Sequence, residues 1–285
     1  MGQSSMNFQA TNGGLGAFVE GVDLSKNLST NLGKEIRQGL GEFGVLFFRD
    51  QDITPEQHLA FAECVGEVEI NRFFQPVADY PKIAEVRKEP EQQTAIGELW
   101  HTDHSYDFEP ALGSILVARE LPKHGGDTMF ANMYAAYDAL SDGMKKMLEG
   151  LQAEHSTRHT FGKVPTTGEL ADKEYAGRLG NQHLAVQDSI HPVAIKHPVS
   201  GRKALYVNGG FTTRFAGWTA DESRPILEFL YNHASRPEFT YRFEWRPGSI
   251  VFWDNRATWH RALNDYHGER RLMHRITIQG ESLTA

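Results

Sequence analysis

Apolar and polar positions recur at two different periods along this chain, and the changes of period mark out its elements. Segment 7–25 reads as two short strands joined across Asn12-Gly13-Gly14, a turn signal. From 28 to 43, Leu32, Ile36 and Leu40 recur at the spacing of one helix face, and Gly41 and Gly44 stop it. Val45-Leu46-Phe47-Phe48 is short and wholly apolar, which predicts a strand buried on both faces. Thr54-Pro55-Glu56-Gln57 predicts a second helix. Thr54 is the cap, Pro55 sits in the first turn, and Gln57 completes a capping box. That helix runs to Val65 and ends at Gly66.

The rest of the chain is richer in strands. Segment 71–97 is Pro- and charge-rich, with a strand at 83–86 and a mobile loop after it. Strands are predicted at 113–121 and 127–133, joined across Gly125-Gly126. A helix is predicted over 134–151. Its stripe of Leu140, Met144, Met147, Leu148 and Leu151 packs internally or against a second subunit. Segment 156–190 is polar and irregular, an insert or lid. A hairpin turning at Ser200-Gly201 occupies 191–208, and Thr219 caps a helix over 220–234. Strands follow at 239–245, 249–253 and 270–279. No repeat and no low-complexity linker divides the sequence. The expectation is one domain over 1–285, mostly β with flanking helices.

Composition narrows the function. At 285 residues and 40% hydrophobic, the chain can bury a substantial core. A net charge of −8 disfavours a nucleic-acid partner. No run of apolar residues is long enough to predict a membrane span. Cys64 is the one cysteine, so no internal disulfide forms, which fits a reducing, cytoplasmic compartment. Residues 1–6, Met-Gly-Gln-Ser-Ser-Met, read as an added leader. They start like a myristoylation signal, but Met6 stands where Ser or Thr is needed.

Two stretches carry candidate chemistry. In Trp100-His101-Thr102-Asp103, the imidazole and the carboxylate are two residues apart, so an extended backbone aims both into one cavity. A second histidine would complete a two-His, one-carboxylate face suited to Fe(II). With 13 His and 37 Asp plus Glu, such a match arises by chance and is weak alone. The second stretch is the last strand. Arg271, Met273, Arg275 and Thr277 share one face, and Leu272, His274, Ile276 and Ile278 share the other. If the second face packs on helices, two guanidiniums enter the interior. Buried arginines without anions are costly, so the pattern suggests bound carboxylates. The competing reading is a strand with a solvated basic face.

In order, HTD (101–103), GGDT (125–128), WDNRATWH (253–260) and RRLMHR (270–275) resemble the taurine and 2,4-dichlorophenoxyacetate dioxygenases, the TauD/TfdA family. The resemblance spans nearly the whole chain. It implies a double-stranded β-helix, the jelly-roll or cupin-like core. It also implies Fe(II) and 2-oxoglutarate as cofactor and co-substrate, with O2 consumed and succinate and CO2 released. By matching position, the metal ligands are His101, Asp103 and His260. Residue chemistry alone leaves His191, His197 and His274 equally open for the third place, though His274 reads better as a packed histidine. Thr128 and Arg271 match the pair that holds the distal carboxylate of 2-oxoglutarate. Arg275 matches the residue facing the anionic head of the substrate. Trp253, Asp254 and Asn255 read as supporting residues.

What the resemblance implies is hydroxylation of a small organic acid, aryloxyalkanoate-like or sulfonate-like, with cleavage of a C–O or C–S bond where the hydroxylated carbon bears the heteroatom. Asn71 and Phe74 stand where the taurine enzymes carry a His and a Tyr, which argues against taurine itself. His104, Tyr106 and Phe108, with Phe73, Phe74 and His159, could line a wider aromatic pocket. The expected substrate therefore has an apolar or aromatic body and a charged head on Arg275. A homo-oligomer stays open. Two other classes compete with it: a zinc hydrolase or isomerase on a similar barrel, and a non-catalytic binding protein. A hydrolase has no use for a keto-acid clamp, and a binding protein no use for intact metal ligands.

Overall fold

The structure is a computed structural model, and it describes residues 6–158, 171–175, 178–179 and 187–285. Its largest element is a nine-stranded sheet. Along its main path the order is Asn7–Ala10, Ala17–Glu20, Val45–Phe48, Ile250–Asp254, Gly113–Glu120, Arg271–Ile278, Tyr80–Lys88 and Pro76–Val77, with Val68–Glu69 pairing the end of Arg271–Ile278. Facing it is a three-stranded sheet in which Thr128–Asn132 lies between Thr240–Phe243 and Thr258–Ala262. This is the jelly-roll core that the family resemblance implies, and it agrees with the mostly β reading of the strand pattern.

Alternation along the strands separates two cores. From Val45–Phe48 and Ile250–Asp254, the side chains of Val45, Phe47, Val251 and Trp253 face inward, where they meet Phe130 and Phe243 of the small sheet. Phe47 and Phe243 stack with centroids 4.6 Å apart. Leu46, Phe48, Ile250 and Phe252 face outward and pack on Ile36, Leu40, Phe61 and Val65 of the helices Thr30–Phe43 and Pro55–Val65. Strands covered on both faces must be apolar on both faces, which is why Val45–Phe48 shows no polar position. The second helix opens with the expected capping box between Thr54 and Gln57.

Three expectations need revision. The helix over 134–151 is two, Met133–Asp138 and Asp142–Leu148. Ser141 takes an extended conformation, and its hydroxyl accepts the Met144 N–H, so it restarts the helix instead of continuing it. Leu148 stays buried and Met147 is exposed. The strand at 83–86 is longer, Tyr80–Lys88, because Lys88 points into the protein and does not end the run. The polar insert 156–190 is bounded by true strands, Gln152–Ser156 and Asp188–Pro192, which pair with each other. Most of what lies between is outside the described residues, His159 included.

Candidate metal and keto-acid site

Thr258–Ala262 pairs with Thr128–Asn132 so that His260 opposes Phe130 and Ala262 opposes Thr128. One face of this pair therefore presents both His260 and Thr128 to the interior. His101 joins it through a single β-bridge to His260. The chain then turns, so His101 and Asp103 do not share a regular strand as the spacing suggested. Thr102 between them anchors the turn by donating its hydroxyl to the Asn255 carbonyl at 2.5 Å.

The three donors converge. His101 Nε2 is 3.6 Å from Asp103 Oδ1, and His260 Nε2 is 3.8 Å from Asp103 Oδ2. One ligand atom from each lies within 4.8 Å of the others, close enough to hold one ion. The protonation states suit that. His101 Nδ1 lies 2.7 Å from the Leu99 carbonyl, which can only accept, so Nδ1–H donates to it and Nε2 is left to face the other two donors. Burial, with the neighbouring His101, pushes His260 down to about 3, so its imidazole is neutral. Burial opposes ionisation of Asp103, but Arg275, His260 and His101 hold its carboxyl well below the usual range. Asp103 Oδ2 accepts from Arg275 Nη1 and from Ser114 Oγ, both at 3.1 Å. Ser114 was not foreseen. Its neighbour on the final strand is Thr277, and only pairing brings it beside Asp103.

These groups open onto a cavity of about 370 Å³, within the range of small-molecule sites. Thr128, Arg271 and Arg275 all line it. The final strand carries Arg271 and Arg275 on its inward face, both nearly buried, with Met273 between them. The two arginines differ in one respect. Arg275 has Asp103 as its anion and lies over the Phe74 ring at 4.6 Å. Arg271 has buried Nε and Nη2 atoms with no acceptor among the described residues. Leaving a buried guanidinium unanswered is costly, so this end of the cavity is built for an anion. Gly126 keeps the space. Its φ is +70°, and a Cβ there would stand 3.2 Å from Arg271 Cδ.

The substrate-side expectations divide. Phe74 and Tyr106 line the cavity, joined by Phe211, which packs edge-on to Tyr106 at 4.8 Å. Asn71 does not reach it. Its Oδ1 accepts the N–H groups of Phe73 and Phe74, so it shapes the turn that delivers Phe74. His104 does not line it either. This residue adopts φ 60°, and its Nδ1 pairs with Asp107 Oδ2 at 2.9 Å, behind the metal face. Glu69, His104 and Asp107 do bring donor atoms within 4.8 Å of one another, but Arg72 already neutralises Asp107. We read that group as an ion network. Phe108 is 73% exposed and points away from the pocket. His274 is on the packing face as expected, accepting from Arg119 Nε at 3.1 Å. His197 is committed to Asp254 at 3.0 Å, and His191 to the Asp107 carbonyl at 2.8 Å. Neither joins the metal face.

The family described as "Taurine catabolism dioxygenase TauD, TfdA family" matches residues 8–277. The chain belongs to the TauD/TfdA family. Among its relatives, an alkylsulfatase of Acinetobacter baylyi is 34% identical over 95% of this chain and 84% of that protein. An alpha-ketoglutarate-dependent 2,4-dichlorophenoxyacetate dioxygenase of Burkholderia sp. is 34% identical over 92% of this chain and 90% of its own length. Among solved structures, a taurine dioxygenase from Burkholderia xenovorans superposes with a TM-score of 0.81 at 32% identity, covering 99% of this chain and 93% of that one. AAD-2 in complex with Mn(II) and N-oxalylglycine gives the same TM-score at 31% identity, over 99% of this chain and all of the other. As a TauD/TfdA protein, the chain is an Fe(II)- and 2-oxoglutarate-dependent dioxygenase. The zinc-hydrolase and binding-protein readings are set aside.

Proposed function

We propose that His101, Asp103 and His260 hold Fe(II), and that Thr128 and Arg271 fix the distal carboxylate of 2-oxoglutarate. The observation carrying this is the orphaned Arg271 guanidinium opening onto the same cavity as the three donors. Bound there, iron with 2-oxoglutarate and dioxygen supplies oxidation of a C–H bond, with succinate and CO2 as co-products.

The residues of the chain do the positioning. Arg271 gives a charge-assisted contact of roughly 1.5–3 kcal/mol to a carboxylate. Thr128 Oγ1 accepts from Trp245 Nε1 at 3.0 Å, which holds the hydroxyl at the cavity and leaves its own proton to donate to a carboxylate. Ser114 and Arg275 occupy Asp103 Oδ2 and leave Oδ1 facing His101. Trp253 packs on His260 with centroids 4.6 Å apart and fixes the ring.

On the substrate side, Phe74, Ile96, Tyr106, Leu179 and Phe211 make an apolar wall, with Arg275 as its cation. That favours an anion with a flat or branched apolar body over a small zwitterion. Relatives named for 2,4-dichlorophenoxyacetate, (S)-phenoxypropionate and sulfate esters support this. Oxidation at the carbon bearing the ether or ester oxygen would release the aryl or sulfate group. A single domain over 1–285 and a cytoplasmic setting complete the reading. The test is succinate formation with aryloxyalkanoates, alkyl sulfates and taurine as alternatives. Stimulation by the apolar acids supports the proposal, and taurine outrunning all of them overturns it.

A further inference from the structure

Two charged side chains away from the metal face are almost wholly buried, Glu174 at 3% and Arg178 at 2% exposed. Buried charges are costly unless every lone pair and proton is answered. Among the described residues, these two are answered by main chain and a hydroxyl. Glu174 accepts from Gln93 N at 3.0 Å, Thr94 N at 3.1 Å and Thr94 Oγ1 at 3.0 Å. Arg178 donates Nε to the Arg87 carbonyl at 2.7 Å, and Nη1 to the carbonyls of Thr94 at 3.1 Å and Glu174 at 2.7 Å. Gln92, also buried, reaches back to the Glu174 carbonyl at 3.4 Å. Glu174 and Arg178 are thus each tied to the 87–94 stretch.

What the clamp carries is part of the cavity. Tyr175 follows Glu174, Leu179 follows Arg178, and both line the cavity. Leu179 forms a β-bridge with Phe74, and the Gln75 N–H donates to the Arg178 carbonyl at 3.4 Å. On the other side, the clamped stretch runs on into Thr94–Leu99, also at the cavity, and then to His101. Gly97 is held there by the Ala262 N–H at 2.8 Å and lies against His101. Roof and metal face are therefore tied through a few main-chain bonds.

We propose that Glu174 and Arg178 are specificity-determining positioning residues. By clamping Tyr175 and Leu179 over the cavity, they fix its roof against Phe74 before substrate arrives. The roof is then matched to a flat apolar body, and a ligand lacking one gains nothing from it. This rests on the oxygenase reading above.

The experiment uses the full-length protein with Fe(II). It compares wild type with Glu174→Ala, Glu174→Gln and Leu179→Ala. Three quantities are read: KM for the best aryloxyalkanoate, the ratio of succinate to hydroxylated product, and the anaerobic dissociation constant for 2-oxoglutarate. The expected result for Glu174→Ala is a KM raised about ten-fold and an excess of succinate over product, with the keto-acid constant within about two-fold of wild type. Glu174→Gln, which keeps an acceptor, falls between. Leu179→Ala, which leaves the clamp intact, loses preference for the aryl acid over a short alkyl sulfonate. It reads the same roof if the Glu174 variants fail to fold. Folded Glu174 variants with wild-type KM and coupling overturn the proposal. So does a parallel rise in both constants, the mark of general loosening, and so does an unchanged preference in Leu179→Ala. If wild type neither binds 2-oxoglutarate nor forms succinate, it is the functional reading that fails.

Discussion

His101 and His260 exchange a pair of main-chain hydrogen bonds, His101 N–H to the His260 carbonyl at 3.1 Å and His260 N–H to the His101 carbonyl at 2.8 Å. The two imidazoles are held side by side by backbone, independently of any ion. His101→Ala and His260→Ala should therefore keep the fold while losing the metal. Far-UV circular dichroism should be unchanged. Fe(II) or Mn(II) affinity should fall by roughly 100-fold or more, since supporting partners alone account for about 10–100-fold.

Arg271→Ala should raise the dissociation constant for 2-oxoglutarate about 10- to 100-fold, the equivalent of one charge-assisted contact. Gly126→Ala should act in the same direction more weakly, because its methyl would press on the Arg271 side chain. Isothermal titration under anaerobic conditions measures both. Neither change should alter the affinity for metal alone.

Arg275 braces Asp103 and lines the cavity, and under the proposed function it is also the cation on the substrate wall. Arg275→Ala should raise KM for the organic acid and also weaken metal binding by about ten-fold. A variant in which only the 2-oxoglutarate constant moved would exchange the roles given to the two arginines.

Asn71→Ala should cost about 1 kcal/mol of stability, through the lost bonds to Phe73 and Phe74. Denaturant melts would show this. Substrate preference should survive, because the side chain does not reach the cavity.

Acid should destabilise the metal-free protein between about pH 6.5 and 4. His274 is pushed down to about 4 by burial and by Arg119, and burial also lowers His58 and His155. In that window the unfolded chain binds more protons than the folded one, so stability rises with pH and is lost as pH falls. Urea midpoints at pH 7 and pH 4.5 test this, and His274→Asn should reduce the difference.

Where the sequence was readable, one periodic rule decided the outcome. Alternation in Arg271–Ile278 placed two arginines inside and the apolar residues against helices, and both faces stand as read. Four ordered motifs named His101, Asp103, His260, Thr128 and Arg271, and the structure brings these five side chains to one cavity. What escaped depended on local backbone choices or distant pairing. Asn71 could have pointed into the pocket, and its own turn claimed it. His104 follows the motif directly, but a left-handed backbone turns it behind the metal face. Ser141 caps a new helix inside a stripe that looked continuous. Glu174 and Arg178 find their partners some 80 residues away along the chain, at Gln93, Thr94 and Arg87. No spacing rule signals that.

The most direct test is anaerobic absorbance during titration of the Fe(II)-loaded protein with 2-oxoglutarate. The account predicts a saturable visible charge-transfer band in wild type. It should be absent in His260→Ala and need about 10- to 100-fold more keto acid in Arg271→Ala. A band that never forms in wild type, or that persists unchanged in His260→Ala, would contradict it.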